Sequence, residues 1–325
     1  MIRRIIGVLW RILISHLLIK RRMNSNSAVN NETPMDKSGI FNAVGAYVMW
    51  GIAPLYFKLL QEIGAGEILM HRVIWSSLFL LGLIFMVKKG HVFVAYMKKP
   101  RVLAGLALTA TILAVNWFLF IWAINNDHLL EASLGYYINP LLNVALGMMF
   151  FKERLRNMQM LAVGLAVVGV FVQLFTLGTL PVISLALAGT FGMYGMLRKK
   201  MHVDSVVALF IESLIMLPVA LIYWSFFIQT SSSDFTVNSN YLNALLIMSG
   251  IVTTAPLLCF TAAAKRLTLS TLGFFQYIGP SIMFLLAAFY YHEELKMAQL
   301  VTFAFIWLAL IIYSVDSLKS KQRNR

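Results

Sequence analysis

Glu67, His71 and Arg72 stand together near the start of an apolar run, where a charged side chain has to have a reason to be. An ionisable group inside a membrane-length segment costs enough free energy to be a functional candidate by default. Glu67 and His71 are one helical turn apart and share a face, and Arg72 lies about 100° round from His71. Arg72 is about five residues into the run, which is about 8 Å at 1.5 Å per residue and within snorkelling range of water. Two readings stay open for the trio. It is either a topological anchor with a local ion pair, or an anion-attracting or proton-handling group on a central cavity.

Other polar residues repeat at helical spacing. Trp50, Pro54 and Lys58 follow one another at intervals of four and lie on one stripe, with Pro54 expected to kink or break its helix. Lys58 is close in depth to Glu67, so a contact between them across the first connection is expected. Tyr136, Asn139, Pro140 and Asn143 share one face of a later run, and Pro140 frees a backbone carbonyl there for a substrate or a neighbour. Asn116 and Glu212 complete the buried polar set, and a carboxyl at that depth suits a proton site. The Trp50 stripe reads equally well as packing, and the asparagines as bonds between helices. Gly189, Gly192 and Gly195 recur every three positions, which suits close helix packing.

The elements that carry these residues follow from composition. The 325-residue chain is 60% hydrophobic and 12% charged, with a mean hydropathy of +0.78. That is too much apolar surface for a water-soluble globule. A helix needs about 20 apolar residues to cross a hydrocarbon core roughly 30 Å thick. Runs of that kind lie near 39–60, 67–87, 102–124, 131–151, 157–175, 181–199, 203–223, 241–264, 268–290 and 297–318. They lack the period-two alternation of a membrane barrel, so the helical class is expected.

The net charge of +14 is explained by position. Lys88, Lys89, Lys98, Lys99, Arg101, Lys152, Arg154, Arg156, Arg198, Lys199, Lys200, Lys265 and Arg266 fall between spans on the side that alternation assigns to the N-terminus. The opposite connections hold one basic residue, Lys296. By the positive-inside rule both termini are expected to be cytoplasmic, in a multi-pass protein of the bacterial inner membrane. A nucleic-acid surface is not needed to explain the charge. Residues 1–34 read separately, as a basic interfacial tail or a translated upstream region, because their apolar stretch 12–19 is too short to span. Residues 319–325 read as a cytoplasmic basic tail. The lone Cys259 rules out an intrachain disulfide or a cysteine metal cluster.

One repeat is visible. Tyr137-Ile138-Asn139-Pro140 matches Tyr277-Ile278-Gly279-Pro280, and Phe150-Phe151-Lys152-Glu153-Arg154-Leu155 matches Tyr290-Tyr291-His292-Glu293-Glu294-Leu295, both at an offset of 140. Trp50-Gly51 and Phe191-Gly192 give a weaker match at 141. Each half holds five spans. An odd number forces the second half to enter from the other side, so the repeat is inverted. The expected fold is therefore an all-α membrane protein of ten transmembrane helices in two inverted five-helix repeats, residues 36–175 and 181–318. Inverted halves are the architecture of alternating-access transporters, with the solute bound near the midplane. Tyr277, Pro140 and the paired Pro280 join the site candidates for that reason.

The run Met49-Trp50-Gly51-Ile52-Ala53-Pro54-Leu55-Tyr56-Phe57-Lys58, the run Glu67-Ile68-Leu69-Met70-His71-Arg72-Val73-Ile74-Trp75-Ser76 and Tyr137-Ile138-Asn139-Pro140-Leu141 resemble the RarD proteins, EamA-type permeases of the drug/metabolite transporter superfamily. The resemblance covers about residues 36–318. It implies ten spans in two EamA-like repeats and a permease moving a small metabolite or drug-like solute, with no cofactor and no metal. The expected partners are that small molecule, membrane lipid and a proton as coupling ion, with a homodimer left open and no nucleic acid. An intramembrane enzyme would need a nucleophile, an acid pair or a metal set at depth, yet no HExxH, GxGD or GxSxG pattern occurs. A Walker A loop is also missing, which disfavours an ATP-driven pump. A membrane sensor or scaffold remains the alternative class.

Overall fold

The structure is a computed structural model, and it describes residues 36–60, 62–125, 129–177, 182–227, 234–290 and 297–323. The tail 1–34 and the motif His292-Glu293-Glu294 lie outside the described residues. Among the described residues there are twelve α-helices and no strand. They are α1 (Lys37–Phe57), α2 (Ala65–Met86), α3 (Gly90–Met97), α4 (Pro100–Asn125), α5 (Leu129–Phe151), α6 (Asn157–Leu177), α7 (Val182–Lys200), α8 (Ser205–Phe227), α9 (Asn240–Ala264), α10 (Leu269–Gln276), α11 (Ile278–Phe289) and α12 (Met297–Arg323).

The apolar runs become helices because lipid leaves every backbone group to be satisfied within its own segment. Nine of the described segments are long and apolar enough to cross a membrane, with α10 and α11 counted together as one. The tenth expected span, α7, has 19 residues but ends on Arg198, Lys199 and Lys200 and is rich in small residues, which lowers its hydropathy. Phe85, Phe118, Phe175 and Phe226 are among many large apolar side chains on the outside of the bundle, as a lipid-facing surface requires.

Three features depart from the sequence reading. The short helix α3 sits between α2 and α4 where only a loop was expected. Helix α12 continues to Arg323, through most of the expected tail 319–325. Span nine is broken at Tyr277, between α10 and α11. Pro280 lies in the first turn of α11, where its missing N–H costs nothing, whereas the matching Pro140 stays inside an unbroken α5. The neighbouring residue separates the two cases. Asn139 donates from Nδ2 to the carbonyl of Ala188 on α7 at 2.9 Å and ties α5 down. Its counterpart Gly279 has no side chain to do so, and a Cβ there would stand 3.6 Å from the carbonyl of Tyr47.

Packing between the halves respects the repeat. Helix α1 packs on α9 and α11, and the exchanged pairs α7 on α4 and α5 are also present. The α2–α9 contact has its image in α4–α8, while α2–α8, α5–α10 and α6–α12 map onto themselves. A pseudo-two-fold axis produces this set. Trp50 and its repeat partner Phe191 touch edge to face at 5.8 Å, and Tyr277 donates to the carbonyl of its partner Tyr137 at 3.2 Å. Each pair therefore straddles the axis. Gly51 lets α1 close on Ile282, and Gly192 lets α7 close on Leu142, the residue at the matching position.

The main apolar core lies among α1, α2, α4, α7, α8 and α9, with a second cluster joining α5, α6, α10 and α12. At the α2-end, α8-start side the bundle is laced by polar contacts. Lys89 pairs with Asp204 at 2.5 Å, and Arg266 with Asp36 at 3.1 Å. Burial alone would raise the Asp204 carboxyl, but the hydrogen bond and charge of Lys89 outweigh it and hold it below its ordinary value. Glu153 of the α5–α6 loop accepts from the backbone N–H groups of Leu269 and Ser270 at 2.7 and 2.9 Å, capping α10 from another helix.

Candidate functional site

Ionisable groups in α2 and α8 become the centre of the site once the repeat is applied to them. Arg72 is seven residues after the first residue of α2, and Glu212 is seven after the first residue of α8. They are the repeat images of each other. Arg72 donates from Nε to Thr253 Oγ1 on α9 at 2.7 Å, and its guanidinium carbon stands 5.4 Å from the ring of Phe57 and 4.9 Å from that of Trp117. Tyr56 and Tyr136 are within electrostatic reach of it.

Glu212 is 1% exposed. Its Oε1 accepts from Thr109 Oγ1 at 2.5 Å and lies 3.6 Å from Arg198 Nη1, and its Oε2 accepts from the Tyr194 hydroxyl at 3.3 Å. Their surroundings are alike in part: each takes a hydrogen bond with a threonine, Thr253 on span eight for Arg72 and Thr109 on span three for Glu212, and Phe57 beside Arg72 matches Arg198 beside Glu212 at an offset of 141. One half thus presents a cation among aromatic rings. The other presents a carboxylate with its own arginine.

A cavity of about 30 Å³ adjoins Glu212, lined by Val73, Ser76, Leu113, Trp117, Glu212 and Thr253 among others. It touches Glu212 directly, and reaches Arg72 through Thr253 and Trp117, the two residues that hold the guanidinium. Ser213 and Thr254 add two further hydroxyls, and the rest of its wall is apolar.

The magnitudes leave the Arg198–Glu212 pair with little net contribution to stability. At 3.6 Å the attraction is about 5 kcal/mol for an effective dielectric of about 20. Removing the two ions from water costs several kcal/mol each. Arg198 also has Nε, Nη1 and Nη2 buried without hydrogen-bond geometry to any partner. A cation over aromatic rings, as at Arg72, gains only about 0.5–2 kcal/mol from each.

The remaining sequence candidates are spread out. His71 is buried and points away from Arg72, towards the rings of Trp224 and Phe235, with Nδ1 accepting from Trp75 Nε1 at 3.3 Å. Glu67 is buried in the first turn of α2, and Lys58 is exposed in the 3-10 turn Lys58–Leu60 that follows α1. Helix α1 runs through Pro54 before tightening into that turn. Trp50 packs in an aromatic cluster with Tyr47, Phe191 and Phe260. Asn116 joins α4 to α7 by donating to the Leu187 carbonyl at 3.0 Å and to Thr190 at 2.8 Å. Asn143 donates to Asn139 Oδ1 and to Gln276 Oε1, joining α5 to α10. Tyr136 sits edge-on to Phe120, and Tyr277 is buried at the break in span nine. Of the sequence candidates, the structure brings Glu212 to the cavity wall and Arg72 into contact with two residues of that wall, while the three asparagines bond between helices.

Arg198, grouped by the charge pattern with the basic residues that close span six, lies in the last turn of α7 and is 1% exposed, a burial the sequence did not signal. A basic cluster after an apolar run looks like a loop, since its polarity hides how far the helix continues. Thr109, Thr253 and Tyr194 were missed because single hydroxyls in apolar runs carry no signal. The offset of 140 would have tied Glu212 to Arg72 had it been carried to span two.

Residues 37–175 and 179–315 each match the EamA-like transporter family. An uncharacterized transporter of Vibrio cholerae is 54% identical over 289 residues, 89% of this chain and 96% of the relative. Protein RarD of Escherichia coli is 52% identical over 288 residues, 89% of this chain and 97% of the relative. A chloramphenicol-sensitive protein RarD of Pseudomonas aeruginosa is 32% identical over 295 residues, covering 88% and 97%. A solved crystal structure superposes with a TM-score of 0.68 at 17% identity, covering 86% of this chain and 98% of that one, a likeness of fold.

Proposed function

This chain belongs to the EamA-like transporter family, in its RarD group, and from that premise we propose that it moves a small solute by alternating access, with its two halves rocking about the cavity between α2, α4, α8 and α9. It is a multi-pass membrane protein of a transporter family. The halves are residues 36–175 and 181–318, in the bacterial inner membrane with both termini cytoplasmic, a placement supported by the loop charges.

The observation that carries the reading is the cavity lined by Glu212 and by Thr253 and Trp117, the two residues that contact Arg72, its repeat image of opposite charge. A site on the pseudo-two-fold axis can be exposed to either side by exchanging the conformations of the halves. On the proposed orientation the end closed by Lys89–Asp204 and Arg266–Asp36 is cytoplasmic. Opening that end has to break those pairs. Glu212 is the proposed proton-handling group: protonation would release Arg198 and loosen α7 from α8.

A stabilisation screen on purified protein, followed by flux in reconstituted vesicles with and without a pH gradient, tests this. Saturable flux of a stabilising solute, accelerated by the gradient, is the expected result. Stabilisation without flux of any such solute would point to a sensor or scaffold instead.

A further inference from the structure

Arg72 carries a charge that no carboxylate answers within 4 Å among the described residues. One of its five N–H donors goes to Thr253, and two aromatic faces, Phe57 and Trp117, flank the planar group. That leaves a rigid fork whose geometry matches a planar anion, which a bare ammonium could not offer. The cavity begins at the two residues that hold the fork and runs along Val73, Leu80, Leu113 and Met216, all apolar.

At its other end Glu212 is already engaged by Arg198, Thr109 and Tyr194. It has an arginine of its own, so it neither neutralises Arg72 nor offers an open seat to a ligand ammonium. The site has one unanswered charge, and it is positive. An apolar wall follows it.

We propose that the solute is an organic anion, a carboxylate on an apolar or aromatic body. The carboxylate binds the Arg72 fork and the body lies along the cavity towards Glu212. This rests on the transporter reading above. In the closed form the cavity holds only a water-sized group, so the ligand enters as the Arg72 end opens. A zwitterionic amino acid and an organic cation are both disfavoured, the first because Glu212, the carboxylate in the cavity wall, is already engaged by Arg198, and the second by Arg72 itself.

The test uses four probes that share one ring: phenylacetate, phenylacetamide, phenylalanine and phenethylammonium. Each is titrated against the purified full-length protein, and binding is read from the thermal midpoint and intrinsic tryptophan fluorescence. Phenylacetate is expected to bind at least tenfold more tightly than its amide and than the other two. Arg72→Met is expected to abolish that preference and Arg72→Lys to keep only part of it. Thr253→Val, which leaves the charge but unties the fork, is expected to weaken phenylacetate about threefold. A folded Thr253→Val keeps the proposal testable if Arg72→Met fails to fold. Equal binding of phenylacetate and its amide, retained preference in Arg72→Met, or no binding of phenylacetate to the wild type would each overturn the anion assignment. Flux in vesicles separates the two ideas. Movement of phenylacetamide or phenethylammonium without phenylacetate sinks the anion assignment and keeps the transporter, whereas binding of phenylacetate with no flux sinks the transporter reading and keeps the anion site.

Discussion

Arg198 and Glu212 hold the largest electrostatic stake in the protein, because each is 1% exposed and answers the other's charge. Removing one member of a buried pair strands the other, at a cost of about 3–5 kcal/mol. Glu212→Gln is therefore expected to lower the thermal midpoint of the purified protein by that much stability. Arg198→Met added to Glu212→Gln is expected to restore most of it, since no uncompensated charge then remains. The same single variant is expected to flatten the pH dependence of transport. A Glu212→Gln protein with the wild-type melting temperature and wild-type pH profile would remove the pair from both roles.

Between elements, the tightest tolerance is where α9 crosses α2. A Cβ on Gly250 would meet backbone atoms of Trp75 and Ser76, and backbone cannot step aside as a side-chain end can. Gly192 is a useful contrast, since a Cβ there would come within 3.1 Å of a terminal methyl of Leu142, which can rotate away. Gly250→Ala is expected to cost about 1–3 kcal/mol by the scale of overpacked cores, while Gly192→Ala stays close to wild type. Thermal unfolding of the two variants side by side checks this. Equal midpoints would mean that α2 and α9 part more readily than their packing suggests. This crossing also carries the Thr253 bond to Arg72, so Gly250→Ala is expected to weaken solute binding as well as stability.

For the molecule as a whole, orientation and repeat stand together. On the proposed orientation, with five spans per half and the loop charges on one side, residues 88 and 152 are cytoplasmic and residue 238 is external. Single cysteines introduced by Lys88→Cys, Lys152→Cys and Asn238→Cys, on a Cys259→Ser background, report this through a membrane-impermeant maleimide. Only the cysteine at 238 is expected to react in intact cells, and those at 88 and 152 after permeabilisation. The opposite pattern would reverse the orientation and with it the side assigned to the Arg72 end.

Amount and spacing of apolar residues determined the helical membrane class, and ten runs emerged because lipid admits few other ways to satisfy a backbone. Two matching blocks at an offset of 140 determined the duplication, and the odd span count its inversion. Those are properties of the chain read along its length. The site was only partly legible. Arg72 and Glu212 stood out as charges in apolar runs, but their equivalence, the cavity that adjoins Glu212 and the reach of Arg198 depend on helix pairs more than a hundred residues apart in sequence or on a turn whose polarity imitates a loop. For Asn139 and Asn143 the sequence left a site role and a bond between helices open, and the structure supplies the bonds, because spacing tells which face of a helix a side chain occupies and only packing tells what that face meets. The tertiary structure decided which of these charges a carboxylate answers, Arg198 by Glu212, and which has none within 4 Å among the described residues, Arg72.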